Sequence, residues 1–500
     1  MNLKLHGTKA FYLFAFIIYI IIAKNSYGFD DEFFNILVYE RFGIESYKFT
    51  QVYDTHPPGS YFLNGLLYQT LGSWSNVRVF SAIINITLII FLTEYISKKF
   101  SKRSGLIFFI LTAFNPAFLL WATSIRWYAY LMTILLWMLM IPKNEGFYYW
   151  FKFCLGIFLM AYFGYIAFIL AIPLFYMYFQ KDSRNIKLKL SHLSVFSLIF
   201  FILYLPQMIN LFENSITNNS NHSFNFLKII IGIYSSQISN QGIFPFSIYS
   251  FISFLGFSLI IISLINSTEF SFKGYKYFLP YLILNLLMII TSLASKIRNH
   301  LFLIPFQSFW IGTAFINKKN KKKFILGMIM FTFINFVGIY NVLVHKNTTK
   351  NSWNIPMDEL IYFVDGQNKN CNGDIAFFTY DPVIAWNLYK VDKNTYSPFN
   401  YHKNNKLNKK YECLVVFDSY GGISKIRKNE LKDLIIFEKD IGQKIIATDK
   451  YYKLKQFLNP DYSENVLTAS LYRGFHVNQD VYDWLASFCS SSDEGLFCNF

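Results

Sequence analysis

The stretch FYLFAFIIYIIIAKNSYGFDDEFF, residues 11–34, sets an oily run directly before three consecutive acids, Asp30, Asp31 and Glu32. Residues 11–23 are apolar enough to enter a bilayer. No small-residue cleavage pattern follows them, so the run reads as a retained first span and not as a leader. The acids therefore stand where that span ends. Carboxylates are costly beside anionic headgroups, and three in a row at that level ask for a reason.

The rest of the chain has the same oily character. At 54% hydrophobic, 20% aromatic and 15% charged, with mean hydropathy +0.30, its 500 residues do not compose an ordinary soluble enzyme. Runs of spanning character lie near residues 10–24, 76–97, 104–121, 128–141, 149–162, 164–180, 192–209, 248–265, 277–294, 300–316 and 323–344, eleven in all. Counting loops from an inside N-terminus, Lys and Arg collect in alternate ones. They are Lys4 and Lys9, then Lys98, Lys99, Lys102 and Arg103, then Lys143. Lys181, Arg184, Lys187 and Lys189 follow, then Lys273 and Lys276, then the cluster at 318–323. The short loops between them hold little beyond Arg126, Lys296 and Arg298. This is the positive-inside asymmetry, and eleven spans leave the tail from about residue 345 outside.

The expected fold is thus a polytopic α-helical membrane domain, residues 1–344, followed by a soluble α/β domain, residues 345–500, outside the cytoplasm. The tail carries the β-like runs IAFFTY (375–380), CLVVFD (413–418) and KIIAT (444–448), with a helix-compatible stretch at 424–436. The net charge of +16 has a plain source. Residues 1–344 hold 27 basic and 11 acidic side chains, and the remainder holds 19 of each. A basic excess confined to loops on one side suits anionic lipid headgroups. Nucleic-acid binding would need a basic face on a soluble domain, and it is excluded as a partner class. A transporter would carry ionisable groups in mid-span, yet Glu94 stands near a cytoplasmic end and little else qualifies. Cys154 reads as a small apolar residue within a span. Cys371, Cys413, Cys489 and Cys498 fall in the outer domain, where Cys489 and Cys498 are near enough in sequence to pair. Their spacings are not those of a zinc site.

Six of the eleven acids before residue 345, namely Asp30, Asp31, Glu32, Glu40, Glu45 and Asp54, lie in residues 30–54. That window belongs to the first outer loop, residues 25–75. A solvated face would account for such acids, and Asp30 or Asp31 would equally cap a helix over 32–41. The same loop contains YDTHPPGS, residues 53–60. Pro57 and Pro58 remove two backbone donors and stiffen the chain before them. They hold Asp54 and His56 in a turn ahead of the apolar run 61–71, which suits a helix lying in the membrane interface.

Together these features resemble the GT-C glycosyltransferases: an Asp-Glu pair after the first span, a D-x-x-x-P-P or H-P-P element in the same outer loop, then a short interfacial helix. The pattern is most similar to the polyprenyl-phosphate-sugar-dependent branch, which includes protein O-mannosyltransferases and lipid A aminoarabinose transferases. Its carriers here are Asp31-Glu32, Asp54-Thr55-His56-Pro57-Pro58 and Ser124-Ile125-Arg126-Trp127-Tyr128-Ala129, the last matching an Arg followed closely by Tyr. The likeness is clear over residues 10–135, extends to 344 and is architectural beyond. The chain departs from the pattern in its outer loop 210–247, which is Asn/Ser/Phe-rich where relatives often bind substrate, and in its first outer loop. Gly59 follows the two prolines where relatives carry Leu, and the extra Asp30 blurs the register of the base by one residue.

The resemblance implies a sugar on polyprenyl phosphate as donor, and a surface glycan such as O-antigen, a lipid such as lipid A, or a protein as acceptor. Transfer of this kind requires a base for the acceptor hydroxyl and cations for the departing phosphate. Asp31, Asp30, Glu32 and Asp54 are the catalytic candidates. Arg126, His56, Lys296 and Arg298 are the donor-phosphate candidates, with Tyr128 and His300 beside them. The competing reading has the cations snorkel to headgroups and leaves His56 a structural or orienting role. Adjacent acids are one way to hold a divalent cation, but there is no D-x-D, and protein mannosyltransferases imply metal-free chemistry. No metal ligand set is assigned. The expected setting is a bacterial inner membrane, with the N-terminus cytoplasmic and the active site on the periplasmic face. A protein O-mannosyltransferase-like enzyme is the nearest alternative, and a lipid-linked-glycan ligase or polymerase comes after it. The outer loop 210–247 has no Arg, which counts against the ligase.

Overall fold

In the computed structural model the described residues are 3–25, 32, 35, 36, 38, 39, 43–46, 57–140, 147–179, 191, 193–205, 209, 248–267, 272–290, 297–314, 320–345, 357–371, 374–379, 384, 388, 394–396, 410–418, 439–448 and 466–476. The chain divides into two compact units. Met1–Ser26 and Val38–Thr349 form one, and Tyr27–Leu37 and Lys350–Phe500 form the other.

The first unit is helical. Its helices are α1 (Leu3–Asn25), α2 (Gly59–Leu71), α3 (Trp74–Lys99), α4 (Lys102–Ala113), α5 (Pro116–Ala122), α6 (Trp127–Met140), α7 (Phe147–Phe163) and α8 (Ala167–Phe179). Then come α9 (Leu193–Leu205), α10 (Ile248–Ile265), α11 (Phe272–Ile290), a 3-10 turn at Ile297–Phe302 leading into α12 (Leu303–Thr313), and α13 (Lys321–His345). Each of the eleven expected runs overlaps helical residues. Among the described residues three helices are long and apolar enough to cross a membrane on their own, or four if α4 and α5 count as one bent span.

Local signals in the sequence set the helix starts. The Ser73 hydroxyl accepts from the Asn76 amide (3.2 Å), and Ser101 accepts from Ser104 (3.1 Å), so α3 and α4 begin with side-chain caps. The run expected as one span over 104–121 is broken. Asn115 caps α5 by accepting from the Phe118 amide (3.0 Å), Pro116 takes the first helical position, and the two pieces bend by 69°. A proline there has no N–H to continue α4, and its ring clashes with the preceding turn. α10 and α13 pack through glycines: a Cβ at Gly256 would stand 3.0 Å from the Gly327 carbonyl oxygen. Small residues let two apolar helices approach at backbone range, the usual device where lipid replaces water. The outward faces are apolar too, including Leu198, Ile202 and Leu203 on α9 and Ile329 and Phe333 on α13. Such a surface is a liability in water and is expected in lipid.

In the second unit, helix α14 (Met357–Asn370) accompanies strands β1 (Ile375–Thr379), β2 (Asn394–Tyr396), β3 (Lys410–Asp418), β4 (Lys439–Thr448) and β5 (Val466–His476). The sheet order is β2-β1-β3-β5-β4. β1 runs parallel to β2 and β3, whereas β5 is antiparallel to β3 and β4. All five residues of β1 are buried, as a near-central parallel strand requires. Phe363 of α14 packs on Phe417 with centroids 6.2 Å apart, and a Cys371–Cys413 disulfide ties the helix end to β3. The three β-like runs fall on β1, β3 and β4. The stretch 424–436 and Cys489 and Cys498 lie outside the described residues, and with them the pairing that the spacing of those two cysteines allows. The disulfide that is seen joins residues 42 apart.

Candidate active site

Helix α2 begins directly after Pro57 and Pro58, the Phe62 amide donating to the Pro58 carbonyl at 3.0 Å. It buries Ser60, Asn64 and Gly65 while leaving Phe62 and Leu66 exposed. Buried polar groups beside exposed Phe62 and Leu66 are unlike the pattern of a helix in water, although Tyr61 and Leu67 are buried as well. Gly59, the departure from the family's Leu, has a physical cause. A Cβ there would lie 2.5 Å from the Tyr162 carbonyl oxygen and 2.8 Å from that residue's ring. No side chain fits without moving the backbone of α7. Gly59→Leu is expected to lower the melting temperature of the purified protein by several degrees, overpacking of this kind costing about 1–3 kcal/mol. A melting temperature equal to that of the unsubstituted protein would contradict the contact.

From α2 the structure leads to the turn between α5 and α6. The Asn64 amide donates to the Ile125 carbonyl (2.5 Å), and its oxygen accepts from the Tyr130 hydroxyl. Residues 123–126 form a tight turn. Thr123 donates to the Leu120 carbonyl (2.9 Å), Ser124 donates to Trp121 (2.8 Å), and the Arg126 amide donates to the Ser124 hydroxyl (3.4 Å). Arg126 itself is only 3% exposed. A snorkelling arginine keeps its guanidinium at the surface. This one does not.

The next two residues reach a second candidate segment. Tyr128 stacks on Trp127 (3.8 Å) and meets Trp121 at 4.8 Å, and both Trp127 and Tyr128 lie parallel to Phe302, at 6.1 and 6.4 Å. Phe302 ends the 3-10 turn that carries Arg298, Asn299 and His300. His300 is 1% exposed, and Asn299 is buried as well. The structure therefore brings the Arg126 turn and the His300 turn together through an aromatic cluster, although 174 residues separate Phe302 from Tyr128 in sequence. A buried arginine beside stacked rings is a charged group in a water-poor setting, the kind that strengthens contacts to an anion.

The acids are described only in part. Glu32 is 1% exposed, which is incompatible with a solvated face, and it belongs to the second unit. Glu45 ends a 3-10 turn at Gly43–Glu45 and is exposed. Asp30, Asp31, Asp54, His56 and Lys296 lie outside the described residues, as does the side chain of Arg298. Among the described residues no group of three His, Cys, Asp or Glu side chains is arranged to hold a metal ion.

No family model and no curated protein sequence matches the chain. Solved structures do. ArnT from Cupriavidus metallidurans in the apo state aligns with a TM-score of 0.50 at 11% identity, over 93% of this chain and 98% of that one. The chain has the ArnT fold. The same protein bound to undecaprenyl phosphate aligns at 0.49 and 11% identity over the same shares, and the arabinofuranosyltransferase AftD from mycobacteria at 0.46 and 9%, over 93% of this chain and 40% of that one. The likeness expected from the early part of the chain is thus met at the level of the fold, over 93% of its length.

Within the ArnT fold, three buried polar side chains on α2 and α3 escaped the reading of the sequence. Asn64 is one, and Asn85 of α3 is another at 0% exposed. The third is Arg78, buried on the same face of α3 as Ser81 and Asn85. The available signal was a polar residue inside an apolar run, which is expensive in a membrane and usually purposeful. Hydropathy averaging hides it.

Proposed function

We propose that this chain is an eleven-span GT-C glycosyltransferase with an outer α/β domain, moving a sugar from a polyprenyl-phosphate donor to a surface glycan or lipid on the outer face of the inner membrane. The observation that carries the reading is the ArnT fold over 93% of the chain. The motifs of the first outer loop and the buried Arg126 support the donor class. In this reading Asp31, with Asp30 as the alternative, takes the proton of the acceptor hydroxyl as its oxygen attacks the anomeric carbon. The bond from that carbon to the phosphate oxygen breaks, its electron pair leaves with polyprenyl phosphate, and the anomeric configuration inverts. Arg126, flanked by the His300 turn, stabilises the charge gathering on the departing phosphate. Glu32 and Asp54 are the further catalytic candidates, and His56, Lys296 and Arg298 are further donor contacts. The test is turnover of a polyprenyl-phosphate sugar by the purified protein.

Orientation has its own check. Glu45 and Lys321 are both exposed, and Cys154, the free cysteine among the described residues, is buried. In a background carrying Cys489→Ser and Cys498→Ser, a membrane-impermeant thiol reagent added to intact cells is expected to label Glu45→Cys and to miss Lys321→Cys. Labelling of Lys321→Cys from outside would reverse the orientation and remove the outward-facing site.

A further inference from the structure

Asn85 lies in the interior of α3, a helix long and apolar enough to span a membrane, with no exposed surface. Leucine would fill that position without a buried amide to satisfy. The amide is satisfied in a particular way. Its two N–H groups are shared among the carbonyls of Ala122 (3.1 Å), Ala129 (3.1 Å) and Ser81 of its own helix (3.0 Å), and its oxygen accepts from Thr133 (3.2 Å). Ala122 is the last residue of α5 and Ala129 lies in the first turn of α6, so one side chain bridges both feet of the turn that carries Arg126. Asn64, from α2, holds the Ile125 carbonyl at the crown of that turn. Two buried amides from two helices thus fix three carbonyls around one arginine.

We propose that Asn85 and Asn64 are positioning residues for the donor, holding the backbone of the Arg126 turn so that the guanidinium stays aimed at the lipid phosphate. The proposal rests on the phosphate-binding role given to Arg126 above. A long flexible side chain is only as well placed as its Cα, and a displacement of about 1 Å at a binding group is enough to lose ~10²-fold in rate. The hydrogen bonds that the turn makes within itself, at Thr123 and Ser124, do not tie it to α2 or α3.

The experiment is a double-mutant cycle read by binding of a polyprenyl monophosphate to the purified protein in detergent, with melting temperatures measured alongside. Asn85→Leu is expected to raise the dissociation constant about tenfold. In an Arg126→Ala background the same substitution is expected to add less than about twofold, because residues acting through one another are non-additive. Asn64→Leu should behave in the same way. Should Asn85→Leu fold poorly, Asn85→Ser keeps a small polar group at the site and enters the same cycle. An unchanged dissociation constant in the folded Asn85 variant, or full additivity with Arg126→Ala, would overturn the proposal and leave Asn85 with a merely architectural role. If Arg126→Ala itself binds the phosphate as well as the unsubstituted protein, the reading of Arg126 falls first. If Arg126→Ala binds weakly and the asparagine variants bind normally, only the present proposal falls.

Discussion

Asp31→Asn is expected to remove sugar transfer by about 10²–10⁴-fold while leaving folded yield and melting temperature near those of the unsubstituted protein. The two roles open to this residue predict different outcomes. As a helix cap, Asp is matched by Asn, whose side-chain oxygen accepts the same backbone N–H bonds. As a base, Asp has no substitute in Asn, which takes no proton at neutral pH. Asp31→Ala should therefore lose activity together with about 1 kcal/mol of stability, the usual cost of an unfilled cap. Asp30→Asn belongs in the same experiment, because the extra acid shifts the register of the pair by one. Glu32, the adjacent residue, is itself buried and so is no part of a solvated face. Retention of more than about a tenth of the activity by both folded Asn variants would end the assignment.

Arg126→Ala is expected to lower kcat/KM for the lipid-linked donor by roughly ten- to a hundredfold. A charge-assisted hydrogen bond to a phosphate in a water-poor site is worth about 1.5–3 kcal/mol, and leaving the phosphate without it forfeits that amount. Arg126→Lys should recover part of the loss, since it restores the charge without the planar fork that meets two phosphate oxygens at once. Steady-state kinetics over a range of donor concentrations separates the variants. Unchanged donor kinetics in Arg126→Ala would mean that this buried arginine serves packing alone.

Much of this architecture was legible because a bilayer imposes a simple code. Apolar runs marked the helices, and three β-rich runs marked β1, β3 and β4. The Arg-x-Tyr signal at Arg126 and Tyr128 stood out because cations are scarce on that side. What stayed hidden was tertiary. Hydropathy smooths over a single proline, so the 69° break at Asn115-Pro116 disappeared into one expected span. β2 is three residues long, and β5 carries Ser470, Arg473 and Gly474, so neither reads as an apolar run. The Cys371–Cys413 bridge closes over 42 residues, and spacing alone gave no hint of it. Gly59 looked like a mismatch to the family until the Tyr162 carbonyl was found where a Cβ would go. The roles of Asn64 and Asn85 were hidden for the same reason: their backbone partners are carbonyls of the α5–α6 segment, and carbonyls have no sequence.

The central claim is that this ArnT-like fold is a working transferase. It is tested most directly by incubating the purified protein with a polyprenyl-phosphate sugar and an envelope-lipid extract as acceptor, and quantifying free polyprenyl phosphate by mass spectrometry. The account predicts release of polyprenyl phosphate with a matching gain of sugar on an acceptor, both abolished in the Asp30→Asn, Asp31→Asn double variant. A donor left intact by the folded, unsubstituted protein across lipid, glycan and protein acceptors, or equal release by the double variant, would contradict it.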